Sequence, residues 1–257
     1  MSILKQIIIN KVKEVDYLKQ NNSIKNLEKS IFFSKKTFSL KHSLKDKSGI
    51  ISEFKRKSPS ISDINLNAEV LQVTKGYELA NSSAISILTD NLFFGGENVD
   101  LVSVRNQINI PILRKDFIID EYQIIESKSL GADVILLIAS CLSKKKIKYL
   151  SNFAKSINLE VILEVHSKDE LSNLCDTIDV IGVNNRNLKK FKTDINISVN
   201  LATLIPNSFM KISESGISTH NEIKILKKYG YDGFLIGESF MREKDPVLAC
   251  ENFISKI

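Results

Sequence analysis

The 257-residue chain has no tryptophan, only four prolines and three cysteines. None of its apolar runs approaches the ~18 residues of a membrane-spanning helix. The cysteines, Cys141, Cys175 and Cys250, are odd in number and far apart, and no pair has the spacing of a metal-ligand or redox motif. They read as free thiols of a reducing compartment. The three histidines form no cluster with cysteines, so no metal site is expected. The N-terminal stretch MSILKQIIINKVKEV mixes charges into its apolar pattern, unlike a signal peptide. These absences together predict a cytoplasmic protein that neither crosses nor anchors in a membrane.

What is present sets the class. Hydrophobic residues make up 43% and charged residues 26% of the chain, enough for a sizeable core and too apolar for wholesale disorder. The net charge of +6 comes from 36 basic and 30 acidic residues. Its densest basic run is Lys144, Lys145, Lys146 and Lys148. We read that run as a solvated helix face rather than a nucleic-acid surface, since the rest of the excess is dispersed. A mild basic balance also suits an anionic small substrate.

From Ile50 onward a rhythm appears. The β-prone runs GIISEF, AISIL, IPILRKDF, ADVILLI, LEVILEV, DVIGVNN, FMKISES and DGFLIGE recur about every 26 residues, the length of one strand, one helix and two loops. The stretches AEVLQVTKGYELANSS, EYQIIESKSLGA, KKKIKYLSNFAKSIN, SKDELSNLCDT and THNEIKILKKYGYDG carry apolar residues at helical spacing. Gly131 and Gly230 stand where helix C-caps belong. Eight strands alternating with helices predict an α/β fold, a (β/α)8 TIM barrel over 48–257. Residues 1–47, with Ile3, Ile7, Val12, Val15 and Leu18 at helical spacing, predict an N-terminal helical extension. A doubly wound sheet is less well matched, because strand one runs into KRKSPS instead of a glycine-rich phosphate loop.

Barrels carry their chemistry at the C-terminal ends of the strands. Those ends here offer Glu53 and Lys55, Thr89 and Asp90, Lys115 and Asp116, Glu164 and His166, Asn184, Asn185 and Arg186, Glu214 and Ser215, then Gly237 and Glu238. Ionisable groups at so many strand ends are costly unless paired or functional. Period-two alternation puts Glu53 with Lys55, Leu113 with Lys115, Glu160 with Ile162 and Glu164, and Met210 with Ile212 and Glu214 on shared inner faces, leaving Ser52 and Phe54 to pack outward. SESGIS and LIGES place Gly216 and Gly237 in the loops after strands seven and eight, where barrels often hold a phosphate.

The motifs ISEFKRKSPS, ILTDNLFFGG, PILRKDFIIDEYQI, GADVILLI, LEVILEVHSKDEL, IGVNNRNLKKFKTD, SESGI and LIGESFMR, in that order over residues 49–246, resemble those of the indole-3-glycerol phosphate synthase family. That resemblance implies a carbon–carbon lyase of tryptophan biosynthesis. Its reaction closes the indole ring of 1-(2-carboxyphenylamino)-1-deoxyribulose 5-phosphate with loss of CO2 and water. The family uses neither metal nor organic cofactor. By the resemblance, Lys115 matches the acid that activates the ketone, if burial and the like charge of Lys55 lower its pKa. Lys55 is a second candidate acid, and which lysine serves which step stays open. Glu164 matches the base of the dehydration, Glu53 orients the lysines and substrate hydroxyls, and Asn184 and Glu214 orient substrate. Arg186 is a partner for a carboxylate. Phe94, Phe117 and Leu136 resemble the aromatic-ring pocket. The phosphate falls to Ser58, Ser215, Gly216, Gly237 and Glu238. Ile61 and Ser62 replace a frequent Lys-Gly pair, and Glu97 a common Ser. His166 is read either as a partner of Glu164 or as a loop cap.

The expected partner is a small phosphorylated substrate, with other tryptophan-pathway enzymes as candidate contacts. The chain ends soon after its eighth unit, which sets an expectation of one activity rather than a fusion. Two other readings stand beside this one. A phosphosugar isomerase on the same barrel would keep the phosphate loops but not need Lys115. A nucleic-acid-binding barrel would need basic residues gathered on one face.

Overall fold

The computed structural model describes residues 1–187 and 192–257. Leu188, Lys189, Lys190 and Phe191, inside the IGVNNRNLKKFKTD motif, lie outside the described residues. Among the described residues, strands β1 (Ile50–Phe54), β2 (Ala84–Leu88), β3 (Ile112–Lys115), β4 (Val134–Ile138), β5 (Glu160–Val165), β6 (Val180–Asn184), β7 (Met210–Glu214) and β8 (Gly233–Ile236) run parallel in sequence order. β1 pairs with β8, with Ile51 opposite Leu235, and this closes a (β/α)8 barrel. The predicted runs all became strands because a parallel sheet is covered on both faces. Near-continuous Val, Ile and Leu, as in VILLI of β4, then suit it better than a strict alternation.

The helices are α1 (Ile3–Asn21), α2 (Ile24–Leu27), α3 (Leu40–Asp46), α4 (Val70–Leu79), α5 (Asn91–Phe94), α6 (Asn98–Arg105), α7 (Glu121–Leu130), α8 (Lys144–Ser156), α9 (Asn196–Ala202), α10 (His220–Lys228), α11 (Glu238–Met241) and α12 (Pro246–Ile254). Local chemistry sets their ends. Ser143 accepts from the Lys146 N–H to start α8, and Thr219 and Glu222 form a capping box on α10. Gly131 ends α7 at φ +94°, as its sequence position required. The stretch SKDELSNLCDT departs from expectation: only a 3-10 turn, Asp169–Asn173, forms there. Asp169 and Glu170 are half-buried or exposed and the segment has too few apolar positions to anchor a full helix.

Two concentric cores follow from strand parity. The outer one, between sheet and helices, takes Phe54, Ile85, Ile135, Leu163 and their helix partners. Ser52 also faces outward, bonded to Ser82 at 2.7 Å and near the Cys250 thiol of α12. The inner one takes Ile51, Leu113, Leu136, Ile162, Ile212 and Leu235, and is sealed at the N-terminal end by Leu40 and Leu44 of α3. Glu160, on the inner face as expected, works at that end: its carboxylate accepts from the Ser39 hydroxyl at 2.6 Å and the Leu40 N–H at 2.8 Å. With its lower half filled, the barrel leaves only its upper rim for a ligand. Among the described residues no helix is long and apolar enough to cross a membrane.

The N-terminal helix α1 corrects one reading. Its buried positions are Ile7, Lys11 and Val15, while Val12 is exposed. The stripe that contacts the barrel therefore has a lysine at its centre.

Candidate active site

At the C-terminal rim lies a cavity of about 390 Å³. Strand register builds its floor. Glu164 of β5 stands opposite Gly182 of β6, and Asn184 of β6 opposite Glu214 of β7. Three polar side chains thereby arrive at the rim from three consecutive strands. Glu53 and Lys55 come from the end of β1 and Lys115 from the end of β3.

At the centre is Lys115. Its ammonium donates to Glu164 at 2.9 Å and to Glu214 at 3.0 Å. Lys55 donates to Glu53 at 2.6 Å. Burial by itself would lower the Lys115 pKa, but Glu164, Glu214 and Glu53 outweigh it and hold the ammonium above the ordinary lysine range. The expectation that Lys55 and burial would depress it is thus overturned, because Lys55 is tied to Glu53 and three carboxylates face Lys115 instead. The two carboxylates it bridges part company. Burial raises Glu214, only partly opposed by Lys115, to about 7. Glu164 is also buried, yet Lys115 and His166, with hydrogen bonds from Lys115 and Asn184, take it below the usual range. Gly182 gives Glu214 its room, since a Cβ there would overlap the Glu214 Oε1.

One wall is apolar. The Phe94 and Phe117 rings lie 6.0 Å apart and tilted by 37°, with Leu88, Leu136 and Ile138 beside them. The opposite end is made of loops. Ser215 and Gly216 adopt left-handed backbone conformations, φ +68° and +72°, a strained choice for a serine. Gly237 precedes α11, and Ser58 shares a hydrogen bond with Ser60 at 3.1 Å. Arg186 donates to Glu238 at 2.8 Å and to Ser60 at 3.2 Å, so it orients a carboxylate across the opening.

All of the residues singled out in the sequence, Glu53, Lys55, Lys115, Glu164, Asn184, Glu214, Arg186, Phe94, Phe117, Leu136, Ser58, Ser215, Gly216, Gly237 and Glu238, line this one cavity. Four of the other strand-end residues do not. Asn185 turns outward to Ser213 and Ser198. Thr89 donates to Asp116 at 2.6 Å behind the rim. Asp90 and Asp116 flank the buried Lys11 at 3.1 and 2.9 Å, although Asp116, unlike Asp90, also lines the cavity. His166 stands behind Glu164.

Sequence reasoning missed the contribution of α1, whose Ile3, Leu4 and Ile7 line the cavity, and that of Arg242, which pairs with Glu238 at 3.1 Å. Arg242 lay within the quoted LIGESFMR motif, four residues after Glu238, which was a usable signal. Lys11 had none, because a lysine in an amphipathic helix ordinarily marks the wet face. Among the described residues no group of three or more His, Cys, Asp or Glu is disposed to hold a metal ion.

A family model described as indole-3-glycerol phosphate synthase matches residues 4–253. A protein of that name from Bacteroides thetaiotaomicron is 45% identical over 256 residues, covering 99% of this chain and 98% of its own. One from Campylobacter fetus subsp. fetus is 42% identical, covering 94% of this chain and 95% of its own. Among solved structures, 3-hexulose-6-phosphate synthase from Salmonella typhimurium superposes with a TM-score of 0.64 at 12% identity, over 81% of this chain and 99% of that one. That last likeness is one of fold alone.

Proposed function

The chain belongs to the indole-3-glycerol phosphate synthase family, carboxy-lyases of tryptophan biosynthesis, and from that premise we propose how its rim closes an indole ring. The substrate is 1-(2-carboxyphenylamino)-1-deoxyribulose 5-phosphate. The ring carbon bearing the carboxylate attacks the ketone, CO2 leaves, and water is then eliminated.

Lys115 is the acid of ring closure. It acts as a fully charged ammonium, not as a lysine of lowered pKa. As the ketone oxygen gains negative charge, its basicity rises until it takes a proton from an ammonium that Glu164 and Glu214 hold in place. Glu164, kept ionised, is the base that removes the ring-adjacent proton in dehydration. Lys55, steadied by Glu53, donates to the departing hydroxyl. Glu214, which burial raises towards neutrality, accepts from Lys115 and in its protonated form is able to donate to a substrate hydroxyl, with Asn184 beside it.

The phenyl ring fits against Phe94, Phe117 and Leu136, where an apolar wall does little to stabilise the carboxylate and so favours its loss. The phosphate lies at the loop end, among Ser58, Ser215, Gly216, Gly237 and the Glu238 backbone, where Arg186 and Arg242 offset the Glu238 carboxylate. The cytoplasm as site of action and contacts with other enzymes of the pathway belong to the same reading, on the family's biology alone.

The observation that carries this assignment is the ammonium bridge: one lysine spanning two carboxylates of divergent pKa inside a cavity with an aromatic wall. Purified protein mixed with the substrate should develop indole fluorescence. Absence of signal from well-folded protein would refute the reading.

A further inference from the structure

Each oxygen of Glu164 has a basic side chain beside it. Lys115 reaches Oε2 from the cavity. From behind, outside the cavity, the His166 Nε2 stands 3.5 Å from Oε1, and its Nδ1 stands 3.6 Å from the Glu170 carboxylate. Both ring nitrogens are buried, and neither makes a hydrogen bond; the two carboxylates face them at ion-pair distance. Glu170 is fixed there because it also accepts the His166 backbone N–H at 2.7 Å.

A neutral imidazole has one N–H, whereas an imidazolium has two, and here a carboxylate faces each nitrogen. Burial works against the charge, but Glu170 and Glu164, with Glu214 farther off, prevail and raise the His166 pKa. The Cys141 thiol senses the same two carboxylates and is pushed by burial to about 12, so it adds no charge. Lys115, on the far side of Glu164, is the competing cation. When Lys115 turns to a substrate oxygen, the Glu164 carboxylate loses that partner and would gain basicity and freedom together.

We propose that His166 is a positioning residue, an imidazolium clamped between Glu170 and Glu164 that fixes the orientation of Glu164 and keeps it ionised while Lys115 is engaged with substrate. The inference rests on Glu164 being the base of the proposed reaction.

The test uses the full chain and three variants, His166→Gln, Glu170→Gln and Glu164→Gln, followed by indole fluorescence from acid pH, below the ordinary carboxylate range, up through the range where histidine titrates. His166→Gln should lower kcat on the order of tenfold, the small end of the range for acid–base catalysis, and leave KM within about twofold. The acid limb of its kcat profile should move to higher pH, since Glu164 then protonates more readily. Glu170→Gln should shift that limb the same way by less. Nitrogen-15 spectra of substrate-free protein should show the His166 ring doubly protonated at neutral pH, with a titration midpoint that falls in Glu164→Gln. A structural prop alone would change melting temperature without moving the acid limb. Unmoved limbs in both His166→Gln and Glu170→Gln, or a neutral ring at neutral pH that ignores Glu164→Gln, would overturn the proposal. If His166→Gln does not fold, Glu170→Gln and the spectra carry the test. Should Glu164→Gln retain activity, the base assignment itself fails. Should it be inactive while the other two profiles stay put, only the role of His166 falls.

Discussion

Two buried lysines sit next to the same stretch of β3 and teach opposite lessons. Lys11 of α1 is wholly buried between Asp90 and Asp116, with Glu14 at 3.0 Å. Lys115, adjacent to Asp116 in sequence, is likewise gripped by carboxylates, yet 13% of its side chain faces the cavity. Both ammoniums are held well in their charged form. What separates them is access. Around Lys11 the charges are sealed beneath α1, with Arg114 at 3.3 Å from Asp116 as a second buried cation. Around Lys115 the carboxylates differ in proton affinity and a ligand can enter, so the same kind of cluster becomes available for chemistry.

The sharpest way to break the comparison is to remove each lysine. Lys115→Ala should cut turnover by about two to four decades, as expected for loss of a general acid. Its melting temperature should change little, because Glu214 already binds protons near neutrality and can hold one in place of the lost cation. An isomerase on this barrel would keep its activity in that variant. Lys11→Met should behave in the reverse sense. Asp90 loses its counter-charge and Asp116 keeps only Arg114, a loss in the range of about 3–5 kcal/mol when one partner of a buried pair is removed. Thermal unfolding would show a fall of about 2–4 °C for each of those kcal/mol. If Lys11→Met were as stable as the parent, the sealed cluster would not be what holds α1 to the rim.

A smaller effect should come from Gly182→Ala. The new Cβ occupies the place of the Glu214 Oε1, so that carboxylate must move and Lys115 loses one of its anchors. A destabilisation of about 1–3 kcal/mol is expected from overpacking, with lower turnover and little change in outer-core packing. Unaltered kinetics would show that Glu214 does not position Lys115.

The smallest effect concerns pH, and its sign differs between the clusters. Burial would raise Asp116, but Lys11 and Arg114 prevail and take it to about 2. A lowered carboxylate gives stability that is present above its unfolded pKa of about 3.9 and is lost as pH falls through the folded value. Glu214 is raised to about 7, so its contribution is full below the unfolded value and is lost as pH rises through neutrality. Glu214→Gln should therefore melt slightly higher than the parent at alkaline pH and no higher at mildly acidic pH. Equal melting temperatures at alkaline pH would indicate that Glu214 is not strained by ionisation.

The legible part of this protein was the part with a period. Strand runs such as VILLI and the inner-face pairs Glu53 with Lys55 and Ile162 with Glu164 could be read directly, because a two-residue repeat assigns each side chain to a face before any partner is known. Segments without clear runs were not legible. Helices α6, α9 and α12 went unread, and residues 169–173 were read as more helical than they are.

The sequence by itself determined the barrel, the rim and the identity of the groups standing on it, since alternation and repeat length are local properties. Only the tertiary structure decided that Lys11 is an internal ion and Val12 a surface residue, and that Lys115 is raised rather than lowered. The physical reason is range. A side chain's face is set by backbone geometry over a few residues, whereas its charge state is set by burial and by Coulomb partners that reach Lys115 from β1, β5 and β7, far apart in the chain.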